Sequence, residues 1–272
     1  MEELQPALDC IKQWGLKIRL GKNLFGQSDQ FSGTDAERAA DLQNLMGDTS
    51  VKAILCARGG YGTIRIIDQL DFTEFVKNPK WIVGYSDVTV LHSHLQRMGI
   101  ETLHATMPIK FSADMESVES LRRALFGEEL KYEWESSHVG REGTAKGLLA
   151  GGNLSLLTAL NGSASDLDTR GKILFLEDLD EYLYHIDRML LNLKRSGKLE
   201  HLAGLLIGGM TEMKDNAVPF GKTAQEIISD AVKEYNYPVA FDFPAGHTDR
   251  NLAIYLGREI ELVAGTTNRI RY

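Results

Sequence analysis

Cysteine, proline and long apolar runs are all scarce in this sequence. Its 272 residues include two cysteines and six prolines, and no apolar run approaches the roughly 18 residues of a membrane-spanning helix. Two cysteines cannot build a disulfide framework, which favours a reducing compartment. The acidic amino terminus lacks the basic and apolar regions of a signal peptide. We therefore expect a cytoplasmic protein without a membrane partner.

Positive charge is scarce as well. Thirty lysines and arginines stand against 38 aspartates and glutamates, which gives a net charge of −8 and a pI near 5.4. Nucleic acids bind to basic patches, so this balance argues against nucleic acid as a partner. The hydrophobic share of 43% and the charged share of 25% are ordinary for a globular protein. The length suffices for one large or two modest domains.

Predicted strands alternate with predicted helices along the first half of the chain. The spacing of Leu4, Leu8 and Ile11 is typical of a helix, and Leu16–Leu20 is predicted to form a short strand. Further strands are predicted at residues 51–57, 81–83 and 102–104, with a helix after each of the first two. This rhythm favours an α/β fold in which a parallel sheet is covered on both faces.

A polar stretch near residues 112–141 interrupts this rhythm. We predict an N-terminal α/β domain with a parallel sheet over residues 1–112, a linker over residues 113–145 and a smaller, mixed α/β C-terminal domain over residues 146–272. Near the end of the chain, residues 253–256 and 259–263 are predicted to form a hairpin.

Four predicted strand ends carry residues that are suited to chemistry. They are Arg58–Gly62, Gly84–Asp87, Glu177–Glu181 and Gly246–Asp249. In α/β folds, sites form where loops leave the carboxyl ends of the strands. A serine in a sharp strand-to-helix turn exposes its hydroxyl, so Ser86 is a candidate nucleophile. The alternative is that Ser86 or Asp87 only caps the following helix.

Glycines, acids and a histidine occupy the other strand ends. The backbone N–H groups of Gly59 and Gly60 are suited to holding an oxyanion or a phosphate, although the glycines also fit a simple tight turn. One carboxylate of Glu177–Glu181 is suited to orienting a histidine, while the cluster also fits a divalent cation or a solvated loop. His247 is the candidate general base. Its alternatives are His92, His94 and His104.

Five motifs follow one another along the chain. They are Ala57–Gly62, Gly84–Asp87, Gly151–Leu154, Leu176–Asp178 and Gly246–Thr248. In this order they resemble the LD-carboxypeptidases, also called murein tetrapeptide carboxypeptidases, to which the microcin C immunity peptidases are similar. The resemblance covers nearly the whole chain. It implies an N-terminal domain with the nucleophile, a C-terminal domain with the acid and the histidine, and a homodimer.

Roles for single residues follow from this resemblance. It implies Ser86 as the nucleophile and His247 as the base and later the acid. Glu177 is the residue implied to orient His247, with Glu181 as the rival acid. The implied oxyanion donors are the backbone N–H groups of Asp87 and of Gly59 or Gly60, with Arg58 beside them as a substrate-binding residue. No metal and no cofactor are expected.

The reaction that the resemblance implies is hydrolysis of the LD-peptide bond to the terminal D-alanine of a cytoplasmic muropeptide, as in peptidoglycan recycling. An acyl-enzyme on the serine would form and be hydrolysed. Three alternatives remain open. They are a microcin C-type immunity peptidase, another amidase or esterase with the same triad, and a two-domain protein that binds a small ligand without catalysis.

Two features depart from the family pattern. After the helix that follows the serine turn, the family usually has His-Gly-Pro-Met, whereas this chain has His104-Ala105-Thr106-Met107. Family chains also usually begin with an apolar strand, whereas the first helix here starts almost at Met1. A missing central strand would leave sheet edges unpaired. We therefore expect that the chain is shortened at its N-terminus or that something else fills the gap.

Overall fold

Two β-sheets with helices packed on them make up the molecule. The computed structural model describes all residues from Met1 to Tyr272. Its strands are β1 (Ala53–Leu55), β2 (Trp81–Gly84), β3 (Thr102–His104), β4 (Lys131–Glu135), β5 (Gly143–Asn153), β6 (Ile173–Leu179), β7 (Gly204–Thr211), β8 (Val239–Ala240), β9 (Ile254–Leu256), β10 (Glu259–Ala264) and β11 (Thr267–Arg271).

Nine α-helices connect or cover these strands. They are α1 (Gln5–Gln13), α2 (Asp35–Gly47), α3 (Thr63–Ile66), α4 (Thr73–Lys77), α5 (Thr89–Arg97), α6 (Met115–Leu125), α7 (Leu154–Leu160), α8 (Leu183–Arg195) and α9 (Ala224–Ala231). Several begin as their sequences predict, since the Thr34 side chain and Glu37 form a reciprocal cap at the start of α2. None of the nine helices is both long and apolar enough to cross a membrane.

The first sheet has four strands in the order β1-β2-β3-β9. Strands β1, β2 and β3 run parallel, and β9 runs antiparallel to β3. The second sheet has seven strands in the order β4-β11-β10-β5-β6-β7-β8. Its β5–β8 part is parallel and its other strands are antiparallel. The predicted α/β class is confirmed, and the first sheet is parallel except for β9.

Strand β6 shows why the second sheet needs an almost continuous apolar sequence. Its residues Ile173 and Phe175 belong to a core shared with β9 and α6, whereas Leu174 and Leu176 pack toward α8 and α9. All four side chains are at most 1% exposed. Side chains of a strand alternate between its two faces, so a strand covered on both faces is apolar throughout. The carboxyl end of this buried strand carries Glu177.

Residues 113–145, predicted to be a linker, contain α6 and β4 and contribute to the core. Val118, Leu121 and Ala124 of α6 are at most 2% exposed. The hydroxyls of Ser117 and Ser120 accept hydrogen bonds from the backbone N–H groups of residues 251 and 253. This segment therefore binds the two halves of the chain together. The division into residues 1–112 and 146–272 stays a prediction.

The hairpin predicted near the C-terminus is wrong. Strand β9 pairs with β3 in the first sheet, whereas β10 pairs with β5 and β11 in the second. The chain changes sheets at Gly257, whose φ of 89° is open to glycine. Local alternation predicts that strands exist, but the sheet that each one joins is decided by tertiary packing. The hairpin at this end of the chain is formed by β10 and β11.

The strand predicted at Leu16–Leu20 is also wrong. These residues form no strand, and β1 is the edge strand of the first sheet. A cleft of about 710 Å³ is lined by both residues 16–20 and residues 51–57. An extended segment becomes a strand only when a neighbour accepts and donates its backbone hydrogen bonds. No such neighbour lies beside residues 17–20, whose N–H groups bond to no backbone carbonyl.

Hydrogen exchange should report this missing pairing. We expect the amides of residues 17–20 to exchange roughly a thousandfold faster than those of β6, because opening a core strand requires most of the free energy of unfolding. Native-state exchange followed by NMR or mass spectrometry measures the ratio. Protection of residues 17–20 comparable to that of β6 would show that these residues pair with another strand in solution.

Candidate active site

Ser86 occupies a strained turn between β2 and α5. The chain leaves β2 at Gly84, passes through the extended Tyr85 and turns at Ser86 into a 3₁₀ turn that leads into α5. The φ of Ser86 is 64°, in the left-handed region that residues with a Cβ avoid. Such strain persists only where the surroundings enforce it, and it concentrates at functional sites.

Two glycines allow this turn to pack closely. A Cβ at Gly84 would lie 2.8 Å from Val88 Cγ2, and a Cβ at Gly59 would lie 2.9 Å from Ser86 Cβ and 3.0 Å from Ser86 Oγ. The glycine loop after β1 therefore runs directly against the serine. The N–H groups of Gly59 and Gly60 donate to no acceptor in the chain, so both are available to a ligand at this position.

Asp87 fastens that glycine loop to the turn. Its Oδ2 accepts hydrogen bonds from Thr63 N at 2.7 Å and Thr63 Oγ1 at 2.6 Å. This bond satisfies an N–H group at the start of α3, as a helix cap does. The neighbouring arginines Arg38 and Arg65 both pair with Asp35, whereas Arg58 is exposed and pairs with no carboxylate.

Glu177 and His247 form a buried pair. The distance from His247 Nδ1 to Glu177 Oε2 is 2.6 Å, and the backbone N–H of His247 donates to the same oxygen at 3.1 Å. The Glu177 side chain is fully buried, and that of His247 is 14% exposed. Gly246 has a φ of 100°, and a Cβ there would lie 2.6 Å from Glu177 Oε2. The carboxylate thus fixes both the ring and the backbone of the histidine.

Tyr85 connects this pair to the serine. Its ring lies edge-to-face against the His247 ring, with the centroids 4.9 Å apart, and Tyr85 immediately precedes Ser86. The only side-chain hydrogen bond of His247 goes to Glu177, and Ser86 Oγ makes none. Hydrogen bonds between catalytic groups are often long in free enzymes and shorten when substrate binds.

The rival residues from the sequence lie elsewhere. Glu181 contacts His185 of α8 and not His247. The His94 ring bonds to Ser165 Oγ at 2.9 Å. His92 and His104 are fully buried, and burial lowers the pKa of His92 to about 4 and that of His104 well below 6.5. Neither buried ring is suited to accept a proton near neutral pH.

Asp178 and Asn153 support the site from behind, and their contacts were not predicted from the sequence. Asp178 accepts hydrogen bonds from Asn153 Nδ2 and Ser155 N, each at 2.9 Å. Burial and then the Glu177 charge raise the pKa of Asp178 to about 6. The N–H of Asn153 donates to Thr89 Oγ1 on α5, at 3.0 Å. Helix α5 and the end of β6 that carries Glu177 are therefore joined through Asn153, which bonds to Thr89 on one side and to Asp178 on the other.

The acidic residues at this edge do not form a metal site. No three His, Cys, Asp or Glu side chains converge in a way that would hold a metal ion. Of the acids after β6, Asp180 pairs with Lys214 at 2.6 Å and Glu181 with His185. A buried carboxylate paired with a histidine, next to the residue that precedes a serine, is instead a combination that suits acyl transfer.

Family profiles match both halves of the chain. The LD-carboxypeptidase N-terminal domain matches residues 1–105, and the LD-carboxypeptidase C-terminal domain matches residues 146–262. The chain belongs to the LD-carboxypeptidase family. The resemblance seen in the five sequence motifs is thereby confirmed.

Curated relatives match this chain over most of its length. The probable murein peptide carboxypeptidase of Bacillus subtilis (strain 168) is 39% identical over 268 residues, which make up 94% of this chain and 82% of the relative. The murein tetrapeptide carboxypeptidase of Pseudomonas aeruginosa is 27% identical over 283 residues, covering 99% of this chain and 90% of the relative.

Solved structures agree with the fold of this LD-carboxypeptidase. The muramoyltetrapeptide carboxypeptidase from Oxalobacter formigenes has a TM-score of 0.90 and 26% identity, covering 99% of this chain and 93% of that one. The microcin C7 self immunity protein MccF in complex with glutamyl sulfamoyl guanosine has a TM-score of 0.85 and 22% identity, with coverages of 99% and 90%. The second likeness extends to the fold alone.

A Gly59→Ala substitution should disturb Ser86 specifically. The added methyl group would press on Ser86 Cβ and Oγ, so the serine or the loop must shift. We expect the rate of Ser86 labelling by a fluorophosphonate probe to fall roughly tenfold or more, with the protein still folded. Gly47→Ala is the matched control, because a Cβ at Gly47 meets nothing within 4 Å. Equal labelling of the two variants would disprove close packing of this loop on Ser86.

Proposed function

We propose that this chain is a serine carboxypeptidase that releases the terminal D-alanine of a murein peptide by cleaving an LD-peptide bond. The contact between His247 and the buried Glu177, held beside Ser86 by the Tyr85 ring, carries the proposal. The names of the relatives from Bacillus subtilis, Pseudomonas aeruginosa and Oxalobacter formigenes support the substrate class.

The proposed reaction begins with proton transfer from Ser86. Glu177 holds the Nδ1–H of His247, so Nε2 carries the lone pair that accepts the Ser86 hydroxyl proton. Ser86 Oγ then attacks the carbonyl carbon of the L-centre, and the imidazolium is stabilised by the Glu177 carboxylate. Because Glu177 is fully buried, little water screens this attraction.

The developing oxyanion needs donors that are already in place. The N–H groups of Gly59 and Gly60 are unpaired and lie on the loop that touches Ser86, and we assign them this role with the N–H of Asp87. His247 then returns its proton to the nitrogen of the departing D-alanine. Water attacks the acyl-enzyme with His247 again as the base, which restores Ser86.

Arg58 is the residue to which we assign substrate binding at the mouth of the site. It is exposed and unpaired next to the proposed oxyanion donors, in a chain with a net charge of −8. An unpaired guanidinium is well suited to a carboxylate of the peptide. We further propose that the reaction occurs in the cytoplasm, during recycling of peptidoglycan fragments, and that the enzyme is a homodimer.

Release of D-alanine from murein tetrapeptide tests the proposal. We expect the parent chain to release D-alanine and Ser86→Ala to lose release by roughly a thousandfold or more. Cleavage of simple esters without D-alanine release would favour another esterase, and cleavage of an aminoacyl sulfamoyl nucleotide would favour an immunity peptidase. Absence of fluorophosphonate labelling at Ser86 would favour a binding protein.

A pair of matched variants tests which carboxylate serves His247. Glu177→Gln should lower kcat roughly a hundredfold or more, because the amide cannot stabilise the imidazolium or hold the correct tautomer. Glu181→Gln should change kcat by less than about twofold, since Glu181 contacts the partly exposed His185. The same assay measures both. A larger loss in Glu181→Gln than in Glu177→Gln would reverse the assignment.

A further inference from the structure

His104 is a buried imidazole without a hydrogen-bond partner. It is the last residue of β3, it is 0% exposed, and neither of its ring nitrogens is paired. His92, equally buried, bonds through Nε2 to Gly84 O at 2.9 Å. An unpaired polar group in a protein interior destabilises the folded state, whereas an apolar side chain of similar size would fill the same place without that penalty. Packing alone therefore does not account for a histidine at this position.

The surroundings of His104 lead to the proposed catalytic groups. Its ring centroid lies 5.0 Å from that of Phe175 and 5.9 Å from that of Tyr85, whose other side meets His247. His104 also pairs in register with Gly84, two residues before Ser86. The ring thus lies between the strand that leads to Ser86 and the β6 strand that leads to Glu177.

Asn251 provides a second connection to His247. Its Oδ1 accepts a hydrogen bond from Gly246 N at 2.9 Å, and its backbone N–H donates to Ser117 Oγ at 2.7 Å. Ile254, three residues after Asn251, pairs in register with His104, and the buried Asn251 Nδ2 has no acceptor. A buried donor without an acceptor and a buried imidazole without a donor therefore lie on neighbouring segments, next to the turn that carries His247.

We propose that His104 is a positioning residue for His247. In the substrate complex its neutral ring accepts a hydrogen bond from Asn251 Nδ2. This bond fixes the Gly246–His247 turn against β3, which pairs with the strand that leads to Ser86. The two partners lie close together in the first sheet, since His104 ends β3 and Asn251 leads into β9, the strand that pairs with β3. A small adjustment of the two side chains would close this hydrogen bond.

The electrostatics favour an accepting ring. Burial, and then the nearby His92 and His247 rings, hold the pKa of His104 well below 6.5. His104 therefore stays neutral while His247 carries the proton taken from Ser86, so no second positive charge opposes that transfer. The ring is fully buried from solvent, so we expect its effect to fall on kcat and not on substrate binding.

Three variants distinguish positioning from packing, on the basis of the function proposed above. His104→Leu keeps the volume but removes the acceptor, and we expect a kcat about tenfold lower with unchanged KM and a Tm no lower than that of the parent. His104→Gln restores an acceptor oxygen and should recover most of kcat. Thr102→Val removes another unpaired buried oxygen from the same strand and should leave kcat unchanged. Full kcat in folded His104→Leu would overturn the proposal.

A double-mutant cycle with Asn251→Ala tests the connection itself. If His104 acts through Asn251, the kcat of the double variant should be no lower than that of the less active single variant. Losses that multiply in the double variant would overturn the proposal. Fluorophosphonate labelling rates of Ser86 are measured for every variant beside D-alanine release. If the parent releases no D-alanine but is labelled, the proposed substrate fails while the labelling rates still decide the role of His104.

Discussion

The buried carboxylate of Glu177 is the constraint on which the rest of the site depends. Removing a carboxylate from water is costly, and here the cost is offset mainly by two donors of a single residue, the ring and the backbone N–H of His247. The Gly246–His247 turn must therefore pack closely against the end of the second sheet. Glycines make this approach possible: a Cβ at Gly208 would lie 2.5 Å from Ala245 O, and one at Gly209 would lie 2.4 Å from Thr248 Cγ2. Strand β7 thus needs glycines at positions 208 and 209 because the turn that carries His247 packs against them.

Ser86 and His247, the proposed nucleophile and base, follow strands of different sheets, so the relation between the sheets is part of the proposed chemistry. Helix α5 meets the end of β5 where a Cβ at Gly152 would lie 2.6 Å from Thr89 Oγ1, and Phe175 of β6 contacts the aromatic groups behind Ser86. These contacts are short and mostly between rigid elements. A substrate lying between the sheets would therefore meet groups that need only small adjustments, which limits the reorganisation during acyl transfer.

The sequence predicted the strand ends well, because a parallel sheet gathers its carboxyl ends along one edge. Ser86 follows the end of β2, Glu177 lies near the carboxyl end of β6, and His247 lies on the loop that follows β8. It left Glu177 and Glu181 as alternatives, because β6 continues to Leu179 and no local signal shows where a buried strand meets solvent. The strand at residues 16–20 and the terminal hairpin were wrong for a related reason: alternation reports a tendency to extend, whereas pairing depends on partners far away in sequence. The buried Asn153–Asp178 contact had no pattern to reveal it.

Strand β9 has a consequence for how the molecule can be made. The sheet that carries Ser86 is completed by residues 254–256, which pair with β3 and are encoded near the end of the chain. During synthesis the first three strands therefore keep an open edge until residues 254–256 have left the ribosome, and such edges are exposed to mispairing. Long-range closure of this kind slows folding. A nascent chain would also carry Ser86, the proposed nucleophile, well before His247, its proposed base, has been made.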